Sequence, residues 1–233
     1  MELTSTPNTL LVVLGPTASG KTTLAIQLAE YFEAEIISCD ARQFYQEMNI
    51  GTAKPSSEEL KTVPHHFVNN LSIFDEYSVG DYETDVLAIL EDYFKTKKVA
   101  VLVGGSGLFA RIVCEGVDRY PDIPEHIRTT LKARLEEEGI ESLQAELKKL
   151  DADHYEKVDL QNPHRLIRAL EVCIGTGKPF SSFQGQAKAP RNFKVVKMAL
   201  NWDREALYAR VNKRVMNMME EGLEAEVKGL YQH

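Results

Sequence analysis

Two segments of the chain are apolar along their whole length: Leu10–Leu14 (LLVVL) and Val99–Val103 (VAVLV). Runs of this kind, bounded by glycine, predict buried strands. Glu35–Ser38 (EIIS), His66–Leu71 and Lys194–Leu200 (KVVKMAL) supply three more strand candidates. Between them the period changes. Thr22–Phe32 carries Leu24, Leu28 and Phe32 at four-residue spacing, and Tyr82–Phe94 carries Val86, Leu87, Leu90 and Phe94. Each is the apolar stripe of a helix. Buried strands alternating with such helices predict an α/β fold, a parallel sheet covered on both faces. From Val117 to Pro190 the pattern is helical only, over Ile127–Glu137, Ser142–Lys149 and Pro163–Gly175. Asn162 and Pro163 open the last of these as N-cap and first residue, and Gly175 and Gly177 close it. Arg204–Leu230 reads as one helix through Leu207, Val211, Val215, Met218, Met219, Leu223 and Val227. The expected organisation is therefore an α/β core of residues 1–116 and 191–233 with a helical insertion, residues 117–190, as a lid. The final helical pattern runs to His233 without a stop signal, so the core's C-terminal part is expected to be truncated.

Gly15-Pro16-Thr17-Ala18-Ser19-Gly20-Lys21-Thr22 fits G-x-x-x-x-G-K-[ST] at every position and lies between a strand and an amphipathic helix, the context that gives this pattern meaning. Gly20 lets the backbone curl so that successive N–H groups face phosphate oxygens. The helix beginning near Lys21 adds the positive end of its dipole. Lys21 adds a point charge, and the Thr22 hydroxyl is a ligand of the kind Mg²⁺ takes alongside substrate phosphates. The core is thus expected to be P-loop NTPase-like, with a nucleotide-binding, ATP-type motif. The motif alone does not name the reaction.

Bulk properties narrow the class. A hydrophobic content of 43% and a charged content of 27% are those of a globular protein. No apolar run approaches the ~20 residues that span a bilayer, and the N-terminus lacks a signal-peptide layout, so no membrane partner and a cytoplasmic location are expected. Cys39, Cys114 and Cys173 form no CxxC pair and read as small buried hydrophobes. The net charge of −8 is unevenly spread. Between Leu160 and Arg214 eleven basic residues (Arg165, Arg168, Lys178, Lys188, Arg191, Lys194, Lys197, Arg204, Arg210, Lys213 and Arg214) meet three acidic ones, Glu171, Asp203 and Glu205. This +8 segment is either solvated surface or the footprint of a polyanion.

Open α/β sheets bind ligands beyond the carboxyl ends of their strands. Asp40 follows the second strand and should share a rim with the phosphate loop. It would hold Mg²⁺ through water or take a proton from a nucleophile, or else serve as a turn or cap residue. Arg42, Gln43 and Tyr45 follow with hydrogen-bonding groups and a ring, and Lys54 in the turn-like 49–55 stretch would face an anion. Phosphate-loop ATPases end a neighbouring strand in a Mg²⁺-organising Asp. Here Val99–Val103 ends in Gly104-Gly105-Ser106-Gly107, which counts against ordinary ATP hydrolysis. Arg210 and Arg214 share a helix face with no acidic neighbour and need either a distant carboxylate or a bound diphosphate. Arg168 can pair with Glu171, His65-His66 lacks metal-ligand spacing, and Trp202 reads as core.

Together GPTASGKTTLA (15–25), ISCDARQFY (37–45), MNIGTAKP (48–55), VPHHF (63–67), VLVGGSGLF (101–109), NPHRLIRALEV (162–172) and REALYARVNKRVMNMMEEGLEAEV (204–227) resemble the tRNA dimethylallyltransferases, or tRNA isopentenyltransferases. The resemblance implies transfer of a dimethylallyl group from dimethylallyl diphosphate to N6 of the adenine beside a tRNA anticodon, position 37, with release of diphosphate. Gly15 to Thr22, with Arg210, would hold the donor's diphosphate. Asp40, Thr17 and Arg214 would be catalytic, with Thr22 on Mg²⁺. Asp40, Ala41, Arg42, Gln43, Ser106, His164, Arg165, Leu166, Ile167 and Arg168 would contact the anticodon stem-loop, and the enzyme would act as a monomer. Ala41, Ser106 and Phe109 depart from the family's usual Ser, Thr and Tyr. Family members also continue past this C-terminus. The residues alone leave open a kinase of a small metabolite, a prenyltransferase of free adenine nucleotides, and a nucleic-acid-binding regulator with a vestigial phosphate loop.

Overall fold

The computed structural model describes residues 7–185 and 190–232. Five parallel strands, β1 (Thr9–Leu14), β2 (Ile36–Ser38), β3 (His65–His66), β4 (Val99–Val103) and β5 (Lys194–Ala199), form one sheet in the order β3-β2-β4-β1-β5. The helices are α1 (Lys21–Phe32), α2 (Ser57–Thr62), α3 (Val79–Tyr93), α4 (Gly107–Glu115), α5 (Glu125–Glu138), α6 (Ile140–Leu150), α7 (Ala152–Tyr155), α8 (Pro163–Thr176), α9 (Arg204–Glu220) and α10 (Leu223–Leu230). The chain divides into two compact units, Met1–Gly116 with Ala189–His233, and Val117–Lys188.

In the first unit the central strands β1 and β4 are buried on both sides, which is why their sequences do not alternate. Leu11, Val13, Val101 and Val103 pack with Ala25, Ile26 and Ala29 of α1. Ala25 and Ala29 are fully buried against the sheet. β5 is an edge strand whose exposed Lys194 and Lys197 discourage pairing with another chain. The second unit has its own core, in which Leu131, Leu143, Leu147, Leu166 and Leu170 meet Phe180.

Three expectations need correction. The third strand has two residues and does not run to Leu71, because Phe67 and Asn69 sit at positive φ (60° and 56°) and break the extension. Gly175 lies inside α8, where Ile123 packs so tightly that a Cβ would stand 2.8 Å from it; Gly177 alone ends the helix. The last helical stretch breaks at Glu221-Gly222, with Gly222 at φ 103°, a backbone conformation suited to glycine. Beyond these, α4 follows the β4 glycines at once and was not among the elements expected from the sequence.

Candidate active site

The loop after β1 is built by backbone conformation. Gly15 leaves no room for a Cβ, which would lie 2.8 Å from Ser19 Oγ and 3.2 Å from the Leu200 carbonyl. Gly20 takes φ 90°, and Ala18 also sits in the left-handed region, at φ 63°. A non-glycine residue there costs about 1–2 kcal/mol, and its neighbours offset that cost. The Arg210 Nε–H donates to the Ala18 carbonyl at 2.7 Å, the Trp202 indole N–H donates to the Ser19 carbonyl at 2.9 Å, and the Arg210 guanidinium lies 4.4 Å from the Trp202 ring centroid. Trp202, expected in the core, is 39% exposed and braces the loop from outside. Arg210 therefore has a third kind of partner, a carbonyl and a ring, in place of a carboxylate. The N-cap of α1 is Gly20, which has no side chain to satisfy the first-turn N–H groups, so they stay available to an anion.

Lys21 crosses the loop, donating to the Gly15 carbonyl at 3.0 Å and the Pro16 carbonyl at 2.8 Å. Its ammonium is held below the usual lysine range by desolvation and then by the Arg214 charge, against an opposing pull from Asp40. Those three charges therefore share one space. It is a cavity of about 430 Å³ lined by Thr17 to Thr23, Ser38, Asp40, Gln43, Thr52 to Pro55, Glu59, His65, Val103 to Gly105, and Arg210, Lys213, Arg214 and Asn217 of α9. Among the described residues no group of three His, Cys, Asp or Glu side chains could hold a metal by itself.

Asp40 is placed by the glycines that replace a strand-end carboxylate. A Cβ on Gly104 would stand 2.4 Å from the Cys39 carbonyl carbon and 2.6 Å from the Asp40 nitrogen, and one on Gly105 would stand 2.8 Å from Asp40 Oδ2. The Gly104 contact is with backbone, so the ends of β2 and β4 meet only because that side chain is absent. Asp40 Oδ1 accepts from the Arg42 N–H at 3.2 Å, so the turn role holds, and the same carboxylate lines the cavity beside the phosphate loop. The Ala41 N–H donates to Ser106 Oγ at 3.1 Å, which ties the loop to the start of α4. Beneath it, Phe44, Phe67, Tyr77, Tyr82 and Phe109 form an aromatic cluster, and the Tyr82 hydroxyl donates to the Ser38 carbonyl at 2.8 Å. Phe109 joins this cluster through its ring contacts with Phe44 and Tyr82.

Gln43 is fixed at both ends, its Nε2 donating to the Thr52 and Ala53 carbonyls at 3.2 Å and its Oε1 accepting from Ser38 Oγ at 3.3 Å. Lys54 lines the cavity, but its ammonium is taken up by Tyr45 O, Asn49 Oδ1 and Asn69 Oδ1. His65 bonds the Val63 carbonyl through Nδ1 at 2.8 Å, and burial lowers its pKa. Lys213 and Asn217 line the cavity in addition to the expected residues; they fall three and seven positions after Arg210, on the same stripe of α9.

The remaining expected residues lie in the second unit. His164 and Arg165 are exposed in the first turn of α8. Leu166 and Ile167 are not available to a nucleic acid through their side chains: they are 0% and 6% exposed in that unit's core. Arg168 pairs with Glu171 at 3.4 Å and lies 5.2 Å from the Tyr120 ring centroid. The +8 segment is likewise only partly free. Arg191 binds Glu83 and the Ile112 and Val113 carbonyls, Lys197 pairs with Glu115 at 2.8 Å, and Lys188 lies outside the described residues. All three cysteines are buried and free, and burial pushes the Cys39 thiol up to about 12. No described helix is long and apolar enough to cross a membrane.

Comparison with known proteins gives this geometry a context. A family model described as IPP transferase matches residues 43–233. The tRNA dimethylallyltransferase of Christiangramia forsetii is 52% identical over 224 residues, covering 96% of this chain and 74% of that protein. That of Flavobacterium psychrophilum is 47% identical over 230 residues, covering 96% and 75%. Among solved structures, the full-length tRNA isopentenylpyrophosphate transferase of Bacillus halodurans is similar with a TM-score of 0.63 at 33% identity, covering 97% of this chain and 70% of that one. A eukaryotic dimethylallyltransferase acting on tRNA reaches a TM-score of 0.82 at 28% identity, covering 97% and 56%. With a phosphate loop, a carboxylate beside it and relatives of this kind along nearly its whole length, the chain belongs to the IPP transferase family.

Proposed function

We propose that this protein transfers the dimethylallyl group of dimethylallyl diphosphate to N6 of the adenine at position 37 of tRNA and releases diphosphate. The observation that carries this reading is one cavity holding a phosphate loop and, beside it, the Asp40 carboxylate, with glycines at the neighbouring strand end. Relatives named for acting on tRNA favour it over a small-metabolite kinase or a free-nucleotide prenyltransferase.

The exocyclic amine of adenine is a weak nucleophile because its lone pair is delocalised into the ring. As its nitrogen bonds to the allylic carbon, the C–O bond to the diphosphate breaks and the amine proton passes to Asp40, a general-base role worth typically ~10²–10⁴ in rate. Charge develops on the departing diphosphate, where Lys21, Arg210 and Arg214 stabilise it, with Thr17 on the leaving oxygen. The donor set fits Mg²⁺, since the Thr22 hydroxyl lines the cavity and this ion takes few protein ligands, with diphosphate and water completing its shell. When bound, it would neutralise part of the diphosphate charge.

The acceptor base must leave its stack to reach the cavity. Ala41, Arg42, Gln43 and Ser106 would surround it, while His164 and Arg165, with the free cations of the basic segment, would meet the anticodon stem phosphates. The helical unit would then contact the tRNA, and the protein would act as a cytoplasmic monomer. The test incubates the protein with Mg²⁺, dimethylallyl diphosphate and unmodified tRNA, then weighs the digested nucleosides. A prenylated adenosine that disappears in Asp40→Ala, with donor binding retained, is the expected result. Phosphate release from ATP without prenyl transfer would instead establish the kinase.

A further inference from the structure

The break at Gly222 turns α10 back onto the turn that follows Met48. There the Glu226 carboxylate accepts three backbone N–H groups, from Asn49 at 2.9 Å and Ile50 at 2.7 Å on Oε2, and from Gly51 at 2.9 Å on Oε1. The two elements pack closely, since a Cβ on Gly51 would lie 3.2 Å from Leu223 Cδ1 and 3.4 Å from Glu226 Oε1. The next residues, Thr52, Ala53, Lys54 and Pro55, form one wall of the cavity, and the Thr52 and Ala53 carbonyls orient the Gln43 carboxamide. Gln43 in turn stands three residues after Asp40, with its N–H on the Asp40 carbonyl at 3.0 Å. Although desolvation acts to raise it, the Glu226 carboxyl is held below its ordinary range by the three N–H bonds and the Lys54 charge.

We infer that Glu226 is a positioning residue for prenyl transfer: it locks the 49–55 wall and, through the Thr52 and Ala53 carbonyls, sets the orientation of Gln43 beside Asp40. The inference rests on the proposed transfer reaction. Glu226 does not line the cavity, so its effect is on acceptor alignment and leaves the diphosphate grip of the phosphate loop intact. One carboxylate taking three donors is a strong local tie, because each bond is charge-assisted.

Glu226→Gln keeps the shape but replaces one accepting oxygen with an NH₂ that faces an N–H. The expected result is a fall in kcat of about tenfold, with the Kd for dimethylallyl diphosphate unchanged within twofold. Amides of Asn49, Ile50 and Gly51 should exchange with solvent about tenfold or more faster, as loss of a charged acceptor implies. The double variant with Gln43→Ala should be no slower than Gln43→Ala alone, because both changes break one chain of contacts. An equal slowing by Glu226→Gln in either background, or a donor Kd that weakens in step with kcat, would overturn the inference. If the wild-type protein transfers no prenyl group, the proposed function falls. Amide exchange then decides the clamp separately: unchanged rates at residues 49–51 in Glu226→Gln would refute it.

Discussion

Replacing Gly104 with alanine isolates the placement of Asp40 from its chemistry. Gly104 does not occupy the left-handed region, so alanine meets no backbone penalty there. Its methyl group, however, would lie 2.4 Å from the Cys39 carbonyl carbon, 2.6 Å from the Asp40 nitrogen and 2.7 Å from the Cys39 carbonyl oxygen. Ordinary contact begins near 3.4 Å, so the end of β2 and the end of β4 must separate by about 1 Å. The obstruction is backbone and cannot rotate away. Cys39 N–H donates to the Val103 carbonyl at 2.8 Å and Ser106 N–H to the Cys39 carbonyl at 3.3 Å, so the strain is carried directly into the Asp40 loop. Overpacking of this kind costs about 1–3 kcal/mol of stability. Misplacing a catalytic group by about 1 Å costs on the order of 10²-fold in rate.

The expected outcome for Gly104→Ala is a kcat about a hundredfold lower, with donor Kd changed by less than about threefold, because none of the atoms displaced belongs to the phosphate loop. Gly105→Ala makes the useful contrast. Its methyl meets Asp40 Oδ2 at 2.8 Å, the far end of a side chain that can turn, so a loss nearer tenfold is expected. Rapid-quench single turnover with labelled donor and unmodified tRNA gives the rate, calorimetry gives donor Kd, and a melting curve confirms that each variant is folded. Wild-type turnover by folded Gly104→Ala would refute the claim that this contact seats the carboxylate. A donor Kd that weakens as much as kcat would show that the glycines serve the phosphate loop instead.

Further outcomes follow from the same geometry. Trp202→Ala removes the indole hydrogen bond to the loop and the face under Arg210, together worth about 1–2 kcal/mol, so donor KM should rise roughly five- to thirtyfold, measured by steady-state kinetics. The Lys21 ammonium is held below its ordinary 10.5, so donor affinity should fall as pH rises through that depressed value, and the donor KM profile of Lys21→Arg should be flatter. In that same window the unfolded chain keeps a proton the folded one has lost, so folding stability should rise slightly with pH, which urea titrations at two alkaline pH values would detect. Leu166→Ala should lower stability by about 2–5 kcal/mol through a cavity, read as an earlier thermal transition. Arg165→Ala should leave the transition in place and reduce the salt dependence of tRNA binding by about one counterion.

What could be read from residue order was whatever is local or periodic. The phosphate loop is an eight-residue pattern whose shape depends on its own backbone, and Asp40 could be placed because parallel strands end on one rim. Leu166 and Ile167 show the cost of carrying over a contiguous stretch without its period. On α8, positions 164, 165 and 168 face away from 166, 167 and 170, and helical spacing alone would have separated them. Other features had no local signature. A tryptophan after a strand looks the same whether it fills a core or braces a loop, and Trp202 does the latter because α9 brings Arg210 onto its ring. Glu226 is one of two acids in the first turn of α10, and nothing in LEAEVKGL marks it as the acceptor of three N–H groups some 175 positions earlier. Gly104 lay between these cases. Its lack of a charge was visible and argued against ATP hydrolysis, but its purpose depends on the register that sets Ser38 opposite Val103. That pairing brings Cys39 and Asp40 against the glycines, so the space a strand-end carboxylate would fill is taken by the backbone that carries Asp40.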